Sequence, residues 1–154
     1  MSAGYVVAGV GNMALSAATA KTIVNVINSA NGLIRLTEIS ASFDGVTATA
    51  VPVAVELCSS TQATAGTPGT SPTPRQIYGP TRAALSTAAE DYTSEPTVLT
   101  VLKTWFIRAD GGVFVLQSPL GRETEQSVTV DGLLLRCTAP AAVNARGYIE
   151  FEEG

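Results

Sequence analysis

Apolar and polar residues alternate along this chain in short stretches separated by turn chemistry, the pattern of β-strands rather than helices. Ile23, Val24, Val26 and Ile27 mark a first strand over 22–27, ended by a turn from Asn28 to Gly32. The run from Leu33 to Phe43 alternates with one change of phase: Ile34 and Leu36 share one face, and Ile39, Ala41 and Phe43 share the other. A one-residue slip in a period of two is what a β-bulge produces. Asp44-Gly45 then turns the chain. Val51, Val53, Val55 and Leu57 give the cleanest alternation, with Pro52, Ala54, Glu56 and Cys58 opposite. Pro52 cannot donate to a ladder, so this strand starts late or lies at an edge.

Between Glu56 and Arg75 there is no charged residue, and the Ser/Thr/Gly/Pro tract from Cys58 to Pro74 predicts a long surface loop. The stretch from Arg75 to Pro96 is less periodic. Within it, Arg82 to Tyr92 fits either a short helix or an extended crossover. Thr97 to Arg108 is apolar on both faces, with Leu99, Val101, Trp105 and Ile107 on one side and Val98, Leu102 and Phe106 on the other. That pattern predicts a central strand, or one covered on both sides. Asp110-Gly111-Gly112 is a hairpin turn into Val113 to Gln117. Further short strands follow at Val128 and Val130, at Leu133 to Cys137, and at Tyr148 to Glu152.

About eight short strands with two long connections predict an all-β chain: a single-domain antiparallel β-sandwich, jelly-roll-like, over residues 21–154. Residues 1–20, rich in Gly and Ala, are expected to form a flexible, extended N-terminal arm. The core is expected to be built from Val53, Val55, Leu57, Leu99, Val101, Trp105, Leu133, Leu135 and Phe151.

Composition adds a constraint on the surface. Charged residues make up 14% of the chain, against about 25% in ordinary globular proteins. Nineteen Thr and sixteen Val stand against two Met, so β-branched residues hold positions that helix formers would otherwise take. A surface of Thr, Ser and Ala suits a protein packed against copies of itself or against a larger partner. There is no histidine, which removes Ser-His-Asp and Cys-His nucleophile arrangements, His-ligated zinc and the usual general base near neutral pH. Nine basic residues against thirteen acidic ones give a net charge of −4, which offers phosphate backbones no attraction. The first basic residue is Lys21, too late for the charged start of a signal peptide. The preceding stretch is mostly Ala, broken by Gly4, Gly9, Gly11, Asn12 and Ser16, and is not a membrane span. Neither nucleic acid, membrane insertion nor export is expected.

Gly9-Val10-Gly11-Asn12-Met13-Ala14 has the form of a dinucleotide-binding loop. Such a loop needs a following helix in a βαβ unit of about thirty residues, but the chain turns into β-branched runs at Thr22. A Gly/Ala arm is the plainer account. The acidic clusters are Glu90-Asp91 and the tail residues Glu150, Glu152 and Glu153. Glu150 and Glu152 alternate with Ile149 and Phe151, as on a solvated strand face, and no twelve-residue calcium loop is present. Cys58 is out of phase with Val55 and Leu57, whereas Cys137 is in phase with Leu133 and Leu135. One thiol therefore points inward and the other outward, and both are expected to be free. Arg122 reads as an exposed loop residue. No catalytic, cofactor-binding or metal-binding residue is assigned, and an enzyme is not expected.

Several segments resemble a family: Phe43 to Val46 leading into Val53 to Leu57, Glu95-Pro96-Thr97, Pro119 to Glu123, and Tyr148 to Glu153. Together they resemble small β-sandwich virion structural proteins of tailed bacteriophages and prophages, over about Lys21 to Glu153. The resemblance implies a capsid decoration (cement) protein. Such a protein would be a homotrimer bound to the major capsid protein on the outer surface of the virion, after assembly in the host cytoplasm. It implies no catalytic motif. The arm at 1–20 lies outside the resemblance and, at up to about 65 Å if extended, is long enough to cross onto a neighbouring subunit. A tail, baseplate or fibre component, or a virion carbohydrate-binding module, is the alternative. That alternative needs exposed loop aromatics, for which Tyr78 and Tyr92 are the candidates.

Overall fold

The computed structural model describes residues 2–8, 11–46, 51–61 and 64–154. Among these residues there are twelve strands and no α-helix, arranged as two antiparallel sheets packed face to face. The first sheet is centred on β4 (Ile34–Phe43) and β12 (Val143–Glu153). Along the free side of β4 lie β9 (Val113–Gln117) and β10 (Thr124–Gln126). Along the free side of β12 lie β2 (Met13–Leu15) and β1 (Ala3–Val7), with β6 (Arg75–Tyr78) beyond β1. The second sheet runs β7 (Thr87–Glu90), β3 (Ala20–Ile27), β11 (Gly132–Thr138), β5 (Val53–Ser60), β8 (Leu99–Ile107). The all-β sandwich expected from periodicity is the fold of the chain.

The change of phase in β4 is a bulge. Glu38 is opposite Glu150, and Leu36 is opposite Phe151, so Thr37 has no cross-strand partner. Its carbonyl instead accepts from the Ser118 N–H at 2.8 Å. The extra residue brings both Leu36 and Ile39 into the core. Pro52 immediately precedes β5, so the strand starts late, and it lies inside its sheet between β11 and β8.

The structure corrects or decides four expectations. The first is that residues 1–20 form a free arm. β1 and β2 pair with β12, and Ala3, Tyr5 and Val7 are buried. Tyr5 stacks on Phe151 with ring centroids 5.7 Å apart. The alternation Ala3, Tyr5, Val7 supplies a core face without any charge, and that burial holds the segment to its own sheet. Gly4 assists, because a Cβ there would collide with the ring of Tyr78, its neighbour on β6.

The second concerns Arg82 to Tyr92: of its two readings, short helix or extended crossover, the structure takes the crossover, which includes β7. The third concerns the polar tract after Cys58. β5 runs on to Ser60, and the following segment is tied to residues 90–94 by bridges between Thr67 and Ser94 and between Thr70 and Glu90. Tyr92 and Glu95 then lay this double segment on the outer face of the second sheet. The Asn25 amide donates to Tyr92 Oη at 2.9 Å, and Thr22 donates to the Glu95 carboxylate from both its N–H and its hydroxyl.

The fourth concerns the core. Val53, Val55, Leu57, Leu133, Leu135 and Phe151 are buried as expected, and Trp105 is half-buried against them. Leu99 and Val101 are not core residues. The β5–β8 ladder slips after Leu57: Leu57 is opposite Lys103 and Cys58 is opposite Val101, leaving Leu102 as the extra residue. Beyond the slip, Val101 shares the row of Cys58 on the outer face. Nor is β8 central: it is the last strand of its sheet.

Candidate functional site: the open side of the sandwich

The two lateral sides of the sandwich are finished differently. On one side, residues 79–86 cross from β6 of the first sheet to β7 of the second and close the gap. Glu153, the last residue of β12 and buried, accepts from the Leu85 N–H at 3.0 Å and the Ser86 N–H at 2.6 Å. The Arg82 guanidinium donates to the Glu153 carbonyl, and the Tyr5 hydroxyl donates to the Arg82 carbonyl. β1 and β12 of the first sheet are thus tied by hydrogen bonds to the crossover.

Among the described residues the opposite side has no such hydrogen-bonded closure. There β8 ends the second sheet, β9 borders the first, and the turn at 108–112, expected to form a hairpin, instead carries the chain from one sheet to the other, because β8 and β9 do not pair. The strands touch through Trp105 and Phe114, whose ring centroids are 4.8 Å apart. Ile107 and Leu116 pack beside them, only partly buried. The register turns Val113 and Val115 to the outer face of the first sheet, because they are opposite Ser42 and Ser40. It turns Phe106 to the outer face of the second, opposite Ala54. Phe106 is 76% exposed, Val113 64%, Val115 54%, and Val101 and Leu102 44% each.

These exposed side chains therefore point away from the sandwich in opposite directions, Phe106 and Val101 from the second sheet and Val113 and Val115 from the first. Lys103 is the one charged residue of β8. It is opposite Leu57, on the core-facing side of the strand, yet it is exposed, and among the described residues no carboxylate forms an ion pair with it. The apolar pattern on both faces of 97–108 therefore belongs to an uncovered edge strand.

The residues considered for chemistry do not assemble. Gly9 and Val10 of the G-x-G-x-x-A string lie outside the described residues. Met13 and Ala14 lie in β2, a strand, where a nucleotide-binding loop requires the start of a helix. Asp91 pairs with Lys21, and Glu90 is buried. Glu150 and Glu152 face outward, as expected, whereas Glu153 is an internal tie rather than solvated acid. Cys58 and Cys137 are both free and both buried. Cys137 belongs to the core, and Cys58 lies on the opposite face of its sheet, in the row of Leu134 and Asn25. Burial pushes the Cys58 thiol up to about 11 and the Cys137 thiol up to about 12, so neither is a thiolate at neutral pH.

Arg122 is exposed in the turn after β9. Of the two candidate loop aromatics, Tyr78 is exposed but ends strand β6, and Tyr92 is buried beneath its own segment. An apolar cleft lined by Leu15, Val46, Ala109 and Val143 holds a single carboxylate, Asp44, which is already bonded to Asn144. Among the described residues no three His, Cys, Asp or Glu side chains converge on a point where a metal ion would bind. The feature that periodicity missed is the open side, and its signal was the doubly apolar pattern of β8.

Compared with known proteins, the chain matches no family model, no curated protein and no solved structure.

Proposed function

We propose that this chain is a non-enzymatic virion structural protein, a capsid decoration (cement) protein. In this role it binds the major capsid protein on the outer surface of a phage head as a homotrimer and stabilises the shell. The observation that carries this reading is the open side: an edge bearing exposed Phe106, Val113 and Val115 on a sandwich whose other side is closed. Interface cores are depleted in charge and enriched in aromatic residues, and the 14% charge content extends that character over the whole chain. A net charge of −4 sets the protein against packaged DNA and favours the outer surface of the shell. Repetition over many copies multiplies a modest contact area per subunit into a large effect on particle stability.

The test is to add the purified protein to phage heads lacking it and to locate it by cryo-EM. Density at three-fold and quasi-three-fold positions, with heads surviving to higher temperature, is the expected result. Density on the tail would replace this reading with that of a tail or baseplate component. Absence from particles altogether would end both.

A further inference from the structure

We propose that the free edge of β8 over residues 103–107 is a strand-addition site. It takes one extended segment of another protein, antiparallel, with a carboxylate opposite Lys103 and apolar side chains opposite Trp105, Phe106 and Ile107. The inference goes beyond the reading above and takes nothing from where the protein is found or how many copies associate.

Among the described residues β8 pairs only with β5, so its other edge presents main-chain N–H and C=O groups with no strand to bond. The ladder slip leaves Leu102 as the extra residue and divides that edge. Beyond the slip, Lys103, Thr104, Trp105, Phe106 and Ile107 are opposite consecutive residues of β5, from Leu57 back to Val53. Such a regular stretch spans about 17 Å, the length of an ordinary strand. Its side chains form two rows: Lys103, Trp105 and Ile107 on the core-facing side, and Thr104 and Phe106 on the outer face. Trp105 and Ile107 are only half-buried and Phe106 is 76% exposed, so both rows stop short of a neighbour. A strand laid along the edge extends both at once, because directly opposite residues of paired strands share a face.

Lys103 sets the chemistry of the partner. It begins the core-facing row, is exposed, and among the described residues has no carboxylate in an ion pair with it. An added strand with an apolar side chain or a cation at that position strips water from the ammonium and replaces it with nothing. A strand with a carboxylate there pairs the charge. The same lysine turns away a second copy. An inward-directed charge and a bulge are devices by which edges resist pairing with their own kind, and β8 has no acidic residue to set opposite another Lys103. The other strands at sheet edges are β2, β6, β7, β9 and β10, and their only acids are Glu90 in β7, which is buried, and Glu125 in β10, which is held by Arg35 at 2.7 Å. The strand that fits therefore belongs to a different protein.

The probe is a synthetic peptide, Val-Val-Val-Thr-Glu, flanked by serines and blocked at both ends. In antiparallel register it sets its Glu opposite Lys103 and its Val residues opposite Trp105, Phe106 and Ile107. Trp105 is the sole tryptophan of the chain, so titration into the purified full-length protein is read by its fluorescence, and amide hydrogen exchange locates the contact. Saturable binding with new protection over 103–107 is expected. A counterpart with Lys in place of Glu is expected to bind about tenfold more weakly. Lys103→Glu, with its fold checked by circular dichroism, is expected to reverse that preference, and the milder Lys103→Gln to remove it. No saturable response to the Glu peptide at millimolar concentration overturns the inference. Equal binding of the two peptides, a preference unmoved by Lys103→Gln, or protection elsewhere than on β8 overturns it too. Attachment to heads is decided separately, by the particle experiment.

Discussion

Trp105 of β8 and Phe114 of β9 stand across the open side with ring centroids 4.8 Å apart and ring planes tilted by 35°. They are the aromatic contact between the two sheets on the side where the 108–112 turn carries the chain from β8 to β9. Trp105 is the sole tryptophan of the chain, so its fluorescence reports on this side alone. Trp105→Ala is expected to lower stability by about 2 kcal/mol, less than the ~3–5 kcal/mol of a fully buried ring because the indole is half-exposed. A shift of the urea midpoint measures it, and an unchanged midpoint would show that the contact contributes nothing.

On the closed side, Glu153 accepts two backbone N–H groups of the crossover. Glu153→Ala leaves the buried Ser86 N–H and the part-buried Leu85 N–H without this acceptor and is expected to cost about 2 kcal/mol, whereas Glu153→Gln retains one acceptor and costs less. Equal midpoints for the two variants would show that packing, not hydrogen bonding, holds the crossover.

Asp44 gives the chain an acid-sensitive turn. Its carboxylate accepts from the Asn144 N–H and from the Asn144 amide, both at 2.9 Å, and these bonds hold its pKa below the ordinary 3.8. A group whose pKa is depressed on folding contributes stability that is fully present above its unfolded value and is lost as pH falls through its folded value. Thermal midpoints of the wild-type chain should therefore fall from about pH 4 downward, and Asp44→Asn should flatten that part of the profile. Parallel profiles for the two proteins would assign the acid sensitivity elsewhere.

Both thiols are buried and protonated at neutral pH. The native protein at pH 8 should react with a thiol reagent at neither cysteine over minutes, and the denatured, unreduced protein should titrate two. Rapid reaction of one thiol in the native state would mean that its burial is lost in readily populated openings.

The structure also changes what a truncation should do. Had residues 1–20 been a free arm, their removal would leave the sandwich intact. Because Tyr5 and Val7 are buried and Tyr5 stacks on Phe151, removing β1 strips one face of β12 and exposes core.

The sequence by itself determined the strand class, the bulge in β4, the late start of β5, the parity of the two cysteines and the inward-facing residues of β5 and β11. Each of these follows from local chemistry: a period of two, a proline without a donor, or a one-residue slip. Tertiary structure alone decided which strands are edges. Alternation reports how many faces of a strand are apolar, but not whether a neighbour covers them, so β8 with two apolar faces reads the same at the centre of a sheet as at an edge awaiting a partner. The N-terminal segment went unread for the same reason. Ala3, Tyr5 and Val7 carry the right period, but only the free side of β12 gives them a core to enter. Glu153 shows the limit most simply: one carboxylate in an alternating acidic tail is internal because the crossover from β6 to β7 brings two unpaired N–H groups to it across 67 residues of chain.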